Sequence, residues 1–72
     1  MDDYEIKNDI RTLRFQNNGM TQAELAQKVG VTRQTIHSIE ASKYSPSLEL
    51  AFRISLVFNR PITEVFRYVL KQ

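Results

Sequence analysis

The sequence predicts an all-α domain of five short helices. Two observations carry this reading. Helix-capping and helix-breaking residues recur at short intervals, and the segments between them space their apolar residues three or four apart. With 72 residues and no repeat or low-complexity tract, the chain reads as one domain over 1–72. That is near the lower size at which a core holds without staples.

The first helix is predicted over about 5–17, where Ile6, Ile10 and Leu13 share one face. It stops at Asn17, Asn18 and Gly19, residues that tolerate left-handed backbone. Thr21 followed by Glu24 is a capping box, and it starts a second helix that runs to about Lys28. Gly30 interrupts it, and Thr32 is an N-cap for a third helix reaching about Glu40. The loop "ASKYSP" follows, with Pro46 holding Ser45 in extended backbone. Ser47 caps a fourth helix to about Phe58, where Asn59 can take the left-handed position. Pro61 opens a fifth helix over about 62–68. The closing "FRYVLKQ", with Phe66, Tyr68 and Val69, fits either a helix or a short C-terminal strand.

Composition narrows the chemistry. There are no cysteines, so disulfides and thiolate metal sites are excluded and a reducing compartment fits best. No segment approaches the roughly 20 apolar residues of a membrane span. The expectation is a soluble, cytoplasmic protein without a membrane partner. One histidine and no glycine-rich phosphate loop leave no catalytic constellation to name. Neither an enzyme, a cofactor, a metal site nor a small-molecule ligand is therefore expected. The net charge is only +2, but it is unevenly spread. Asp2, Asp3, Glu5 and Asp9 make the start acidic, whereas Arg11, Arg14, Lys28, Arg33 and Lys43 make the middle basic. A basic middle suits a polyanionic partner.

Residues 22–41, "QAELAQKVGVTRQTIHSIEA", fit a helix-turn-helix. Ala26 is small where two helices would cross, and Gly30 supplies the positive φ of a tight turn. Leu25, Val29, Val31, Ile36 and Ile39 form the apolar seam between the helices. On a helical wheel, Ile36 and Ile39 of the third helix point inward. Arg33, Gln34, His37, Ser38 and Ala41 share the outward arc, which is almost free of acids. A solvated helix would carry Glu and Lys pairs there. Arginine can instead pair bidentately with guanine, and glutamine with adenine.

The stretches "TQAELAQKVGVTRQTIHSIE", "KYSPSLELAFRI" and "ITEVF" resemble the phage-repressor-like helix-turn-helix proteins of the Cro/CI or XRE class. The resemblance covers about 6–67 and implies a five-helix, lambda-repressor-like DNA-binding domain, with its helix-turn-helix at 21–40. It implies that helix 32–40 enters the major groove while the preceding helix lies across the backbone. Base reading then falls on Arg33, Gln34 and Ser38, with His37 beside them facing base, phosphate or water. Backbone contacts fall on Thr21 and Gln22 at the start of the second helix, on Thr32 and Thr35 at the groove edge, and on Lys43 and Tyr44 in the following loop. The family also pairs an arginine near the end of helix one with the glutamate ending helix three. Arg14 and Glu40 stand in those places as a structural ion pair.

Two departures are visible. The family's common Glu-Asn-Gly-Lys loop is here "EASK". Ala41 thus lacks an amide, and Ser42 must adopt glycine-like backbone at a cost on the order of 1 kcal/mol. The stretch "LRFQNNGMTQ" is also one residue longer than the family's commonest spacing, so the end of helix one is expected to bulge or overrun.

The fourth helix has two apolar faces. Leu50, Ala51, Ile54, Val57 and Phe58 form an ordinary core stripe, and Leu48, Phe52 and Leu56 form another opposite. Part of the second face is expected to pack on helix five, through Val65, Phe66 and Val69. Leu56, Phe66, Tyr68 and Leu70, within a region of about 48–72, are expected to meet a second copy in a symmetric dimer; the alternative is that Leu56 and Leu70 only complete the monomer core. Two heads about 34 Å apart would read a palindromic operator twice. The expected function is a homodimeric, sequence-specific regulator of transcription acting on double-stranded DNA, in the first place a repressor. The alternative is an antitoxin that binds a protein partner and autoregulates its operon.

Overall fold

In the computed structural model, which describes residues 2–72, five helices are framed by two strands that the first and last segments contribute. Met1, the first residue of the predicted domain, lies outside the described residues. The order is β1 (Tyr4–Asn8), α1 (Ile10–Gln16), α2 (Gln22–Val29), α3 (Arg33–Glu40), α4 (Leu48–Val57), α5 (Ile62–Val65) and β2 (Phe66–Leu70). The architecture is therefore mostly helical and not all-α.

The sheet corrects the start of the sequence reading and, at its end, takes the strand alternative for residues 66–70. Residues 5–8 do not belong to the first helix, and the fifth helix ends at Val65 instead of 68. β1 and β2 pair antiparallel, with Tyr4 opposite Leu70, Ile6 opposite Tyr68 and Asn8 opposite Phe66. Aromatic and β-branched side chains suit this pleated surface, and Tyr4 stacks diagonally on Tyr68 with ring centroids 5.2 Å apart. Helix α1 cannot extend backward because Asn8 and Asp9 are committed elsewhere. Asn8 Oδ1 accepts from the Ile10 N–H at 3.2 Å, and its Nδ2 donates to the Ile39 carbonyl at 2.9 Å. The Asp9 N–H donates to the Val65 carbonyl, and the Asp9 carboxylate pairs with Arg67. Ile10 and Leu13 enter the core, whereas Ile6 stays largely on the surface.

The helix-turn-helix boundaries are set locally. Thr21 Oγ1 accepts from the Glu24 N–H, and the Glu24 carboxylate accepts from the Thr21 N–H, both at 3.0 Å. Gly30 closes α2 at φ 79°, its N–H donating to the Ala26 carbonyl. Thr32 Oγ1 then accepts from the Thr35 N–H and starts α3. Ser47 does the same for α4 through the Leu50 N–H. Ser42 and Asn59 both take left-handed backbone, at φ 60° and 53°. The extra residue before α2 produces no overrun of α1. Asn18 and Gly19, both left-handed, absorb it in the turn.

The Glu24 carboxyl is held below its usual value, chiefly by the hydrogen bond from the Thr21 backbone and then by the Thr21 side chain. A carboxyl depressed by folding stabilises the fold above its unfolded value, and that contribution fades as the pH falls through the folded value. In Glu24→Gln the cap keeps its acceptor without the charge. The melting-temperature advantage of the parent protein over this variant is expected to shrink as the pH falls below about 4.5. An advantage that grows on acidification would contradict the assignment.

The core joins all five helices through Ile10, Leu25, Ile36, Ile39, Ile54 and Val65, each essentially inaccessible. Ala26 and Val29 are buried on the inner side of α2, and Val31 is half-buried beside them. Leu50, Ala51, Ile54 and Phe58 bury the core stripe of α4. Its second stripe is not covered by α5, because that helix ends after one turn and the chain leaves it as β2. Leu48, Phe52 and Leu56 remain exposed, Leu56 at 79%.

Candidate nucleic-acid interface

Helix α3 is anchored by Ile36 and Ile39, which sink into the core from its inner side. The opposite side carries Arg33, Gln34 and His37, all exposed, with Ser38 half-buried at its margin. Thr32 is exposed and Thr35 half-buried, and their hydroxyls lie 3.0 Å apart, so the two threonines support each other at the start of the helix.

The only acid of α3 is turned away from this face. Glu40 meets Arg14 in a two-pronged ion pair, Nε to Oε2 at 2.7 Å and Nη2 to Oε1 at 3.0 Å. Both side chains are about nine-tenths buried. Arg14 Nη1 also donates to the Met20 carbonyl at 2.8 Å. One arginine therefore ties α1 to the turn before α2 and to the end of α3. Gln22 extends the network, its amide donating to Glu40 Oε1 at 3.3 Å. This bond holds the first residue of α2 beside the end of α3. Thr21 is exposed next to it, with its hydroxyl committed to the capping box.

Between α1, Gln22 and the end of α3 lies an open groove of about 410 Å³, lined by Arg11, Phe15, Gln22, His37 and Ala41 above the Arg14–Glu40 pair. Arg11 and Phe15 were not singled out by the sequence reading. Their signal was their spacing: four residues apart, they share a helix face. The Arg11 guanidinium lies 5.7 Å from the Phe15 ring centroid, and that of Arg14 lies 5.8 Å from the same ring.

Lys43 and Tyr44 are exposed, and Tyr44 borders a groove whose other walls include Tyr4, Ile6, Ile39 and Phe66. The four residues expected at a dimer contact are not gathered in one place. Leu56 lines a shallow groove with Val29, Gly30 and Arg53. Phe66 and Tyr68 line an apolar one with Ile6, Leu48 and Ile62. Leu70 is exposed at the end of the sheet, opposite Tyr4.

The cations divide sharply. Arg53, Arg60, Arg67 and Lys7 are matched with Glu49, Glu64, Asp9 and Glu5, and Arg14 with Glu40. Among the described residues, Arg11 and Arg33 are the arginines without a carboxylate partner. Lys28, Lys43 and Lys71 are the corresponding lysines. Two free guanidinium groups thus lie on or beside the outer side of α3.

Comparison with known proteins is consistent along most of the chain. Residues 10–65 match the family model described as helix-turn-helix. An uncharacterized HTH-type transcriptional regulator of Methanocaldococcus jannaschii is 48% identical over 63 residues, covering 88% of this chain and 94% of the relative. One of Bacillus subtilis is 43% identical over 61 residues, covering 85% and 91%. One of Archaeoglobus fulgidus is 58% identical over a shorter span of 48 residues, covering 67% and 69%. In fold, the chain matches the crystal structure of a candidate DNA-binding protein from Bacteroides fragilis with a TM-score of 0.76. That match is 21% identical and covers 86% of this chain and 98% of the other.

Proposed function

The chain belongs to the XRE-type helix-turn-helix family, and from that premise we propose that it is a sequence-specific DNA-binding regulator of transcription, acting as a repressor. Helix α3 enters the major groove. Arg33 and Gln34 read bases, Ser38 and His37 border them, and Gln22 meets a phosphate with the N-terminal N–H groups of α2. Thr21, Thr32, Thr35, Lys43 and Tyr44 contribute to backbone contact.

One observation carries the reading. The outward side of α3 presents Arg33, Gln34 and His37 without a free carboxylate, while the helix's only acid is sequestered on Arg14. An exposed helix with no partner would gain by pairing those groups on its own surface. Here they are left open, in the residue types that hydrogen-bond to base edges and phosphates.

The protein acts as a homodimer on a palindromic operator. The unburied apolar side chains of α4 and the sheet, among them Leu48, Phe52, Leu56, Tyr68 and Leu70, support this. Leu48 and Tyr68 line one apolar groove with Ile6 and Ile62, and contiguous exposed apolar surface marks interaction sites.

Selection of bound duplexes from random DNA tests the proposal. Two inverted half-sites centred about one helical turn apart are expected. In a titration at fixed salt, the selected duplex should bind at least about a thousandfold more tightly than a scrambled one. Equal binding of the two would remove base reading. A single half-site would remove the dimer.

A further inference from the structure

We propose that Arg11, on α1 and outside the helix-turn-helix, binds a backbone phosphate of the DNA in the groove it shares with Phe15, Gln22, His37 and Ala41. This inference rests on the reading that α3 docks on DNA, and it adds a contact to that interface.

Three features of the groove favour an anion. The first is charge. Arg11 has no carboxylate partner, whereas the other arginines outside α3 each have one. The second is the state of Glu40, the one acid in the groove walls. Its Oε2 accepts from Arg14 Nε, and its Oε1 from Arg14 Nη2 and Gln22 Nε2. Arg14 offsets its charge and three donors occupy its oxygens, so it does not oppose an incoming phosphate. Arg11 is left as the uncompensated charge among the groove residues.

The third feature is preorganisation. Phe15 is 62% exposed, an unusual position for a phenylalanine that serves packing alone. Its ring has two guanidinium groups within cation–π distance, that of Arg14, fixed by Glu40 and Met20, and that of Arg11. Cation–π attraction holds the Arg11 side chain beside the groove without consuming its N–H donors. A guanidinium held this way loses less freedom when it grips a phosphate, and its planar fork matches two phosphate oxygens. Ala41 adds only a methyl group to the opposite wall, which keeps the groove open.

The test compares Arg11→Ala, Arg11→Lys and the control Arg60→Ala with the parent protein, using the selected duplex and a scrambled one at several salt concentrations. Arg60 already pairs with Glu64 at 3.2 Å and lies outside the groove. Arg11→Ala should weaken binding to both duplexes by a similar factor, on the order of tenfold. The slope of log affinity against log salt should become shallower by about 0.9, the value of one phosphate contact. Arg11→Lys should keep the parental slope, and so should Arg60→Ala. A parental slope in Arg11→Ala, or a loss confined to the selected duplex, would overturn the assignment while leaving α3 as the reading helix. If the parent protein binds no duplex, both proposals fall.

Discussion

Replacing Glu40 with alanine is expected to destabilise the domain by about 3–5 kcal/mol, because it leaves a buried guanidinium without its counter-charge. Arg14 is 8% exposed and would keep only its bond to the Met20 carbonyl. A domain of this size has a total stability of only about 5–15 kcal/mol. For a small domain each kcal/mol shifts the melting temperature by roughly 4–8 °C, so the loss should exceed about 10 °C. The pair itself contributes less than its breakage costs, because bringing two charges out of water offsets most of their attraction. Replacing both partners, as Arg14→Met with Glu40→Leu, is therefore expected to recover a large part of the loss. Thermal unfolding followed by circular dichroism measures both. A Glu40→Ala protein that melts within about 2 °C of the parent would show that water reaches the guanidinium.

Arg33→Ala should have the opposite profile, with folding intact and recognition impaired. The side chain is exposed at the first turn of α3 and has no carboxylate partner, so removing it costs the fold little. If Arg33 grips a guanine edge, its loss weakens binding to the selected duplex by about 1–3 kcal/mol and relaxes preference at one base position. Binding to scrambled DNA should fall by less, since much of that interaction is with the phosphates. The measurement is the ratio of the two affinities at one salt concentration. An equal loss on both duplexes would reassign Arg33 to the backbone and leave Gln34 as the reader. Together the two variants separate holding α3 in place from what α3 does there.

The parts of the fold that were legible in the sequence are those whose causes lie within a few residues. Thr21 with Glu24, Gly30, Thr32 and Ser47 each fix a helix boundary through bonds spanning three or four residues, and the structure has those boundaries. Residues 4–8 and 66–70 obey a different logic. Each becomes a strand because the other lies beside it, and no local pattern encodes a partner at the far end of the chain. Ile6 was misleading in its own way. It stands four residues before Ile10, so a strand residue imitated the next turn of a helix face.

The candidate site divides along the same line. A helical wheel suffices to set Arg33 and Gln34 on the outer side of α3, since Ile36 and Ile39 fix the inner one. Which cations are free is a tertiary property. Arg53–Glu49 and Arg60–Glu64 are spaced four apart and could be read from the chain, but Arg67–Asp9 joins its two ends. Only with those pairs removed does Arg11 stand out, and only the approach of α1 to α3 gives it a groove.

The two-stranded sheet also bears on how a cysteine-free chain of this size stays closed. Asn8 lies opposite Phe66, and the Lys71 N–H donates to the Asp3 carbonyl at 2.6 Å, so the pairing gathers nearly the whole chain into one loop. Many small proteins use a disulfide for this, which restricts the unfolded ensemble permanently. A clasp of hydrogen bonds has a different thermodynamic character. It leaves the unfolded chain unrestricted, and the entropy of closing the long loop must be met within the folding reaction itself. Since an isolated pair of strands is marginal in water, the clasp holds only where the helices already bring its halves together. Asn8, bonded to Ile39 at the end of α3, is one of the points at which they do so.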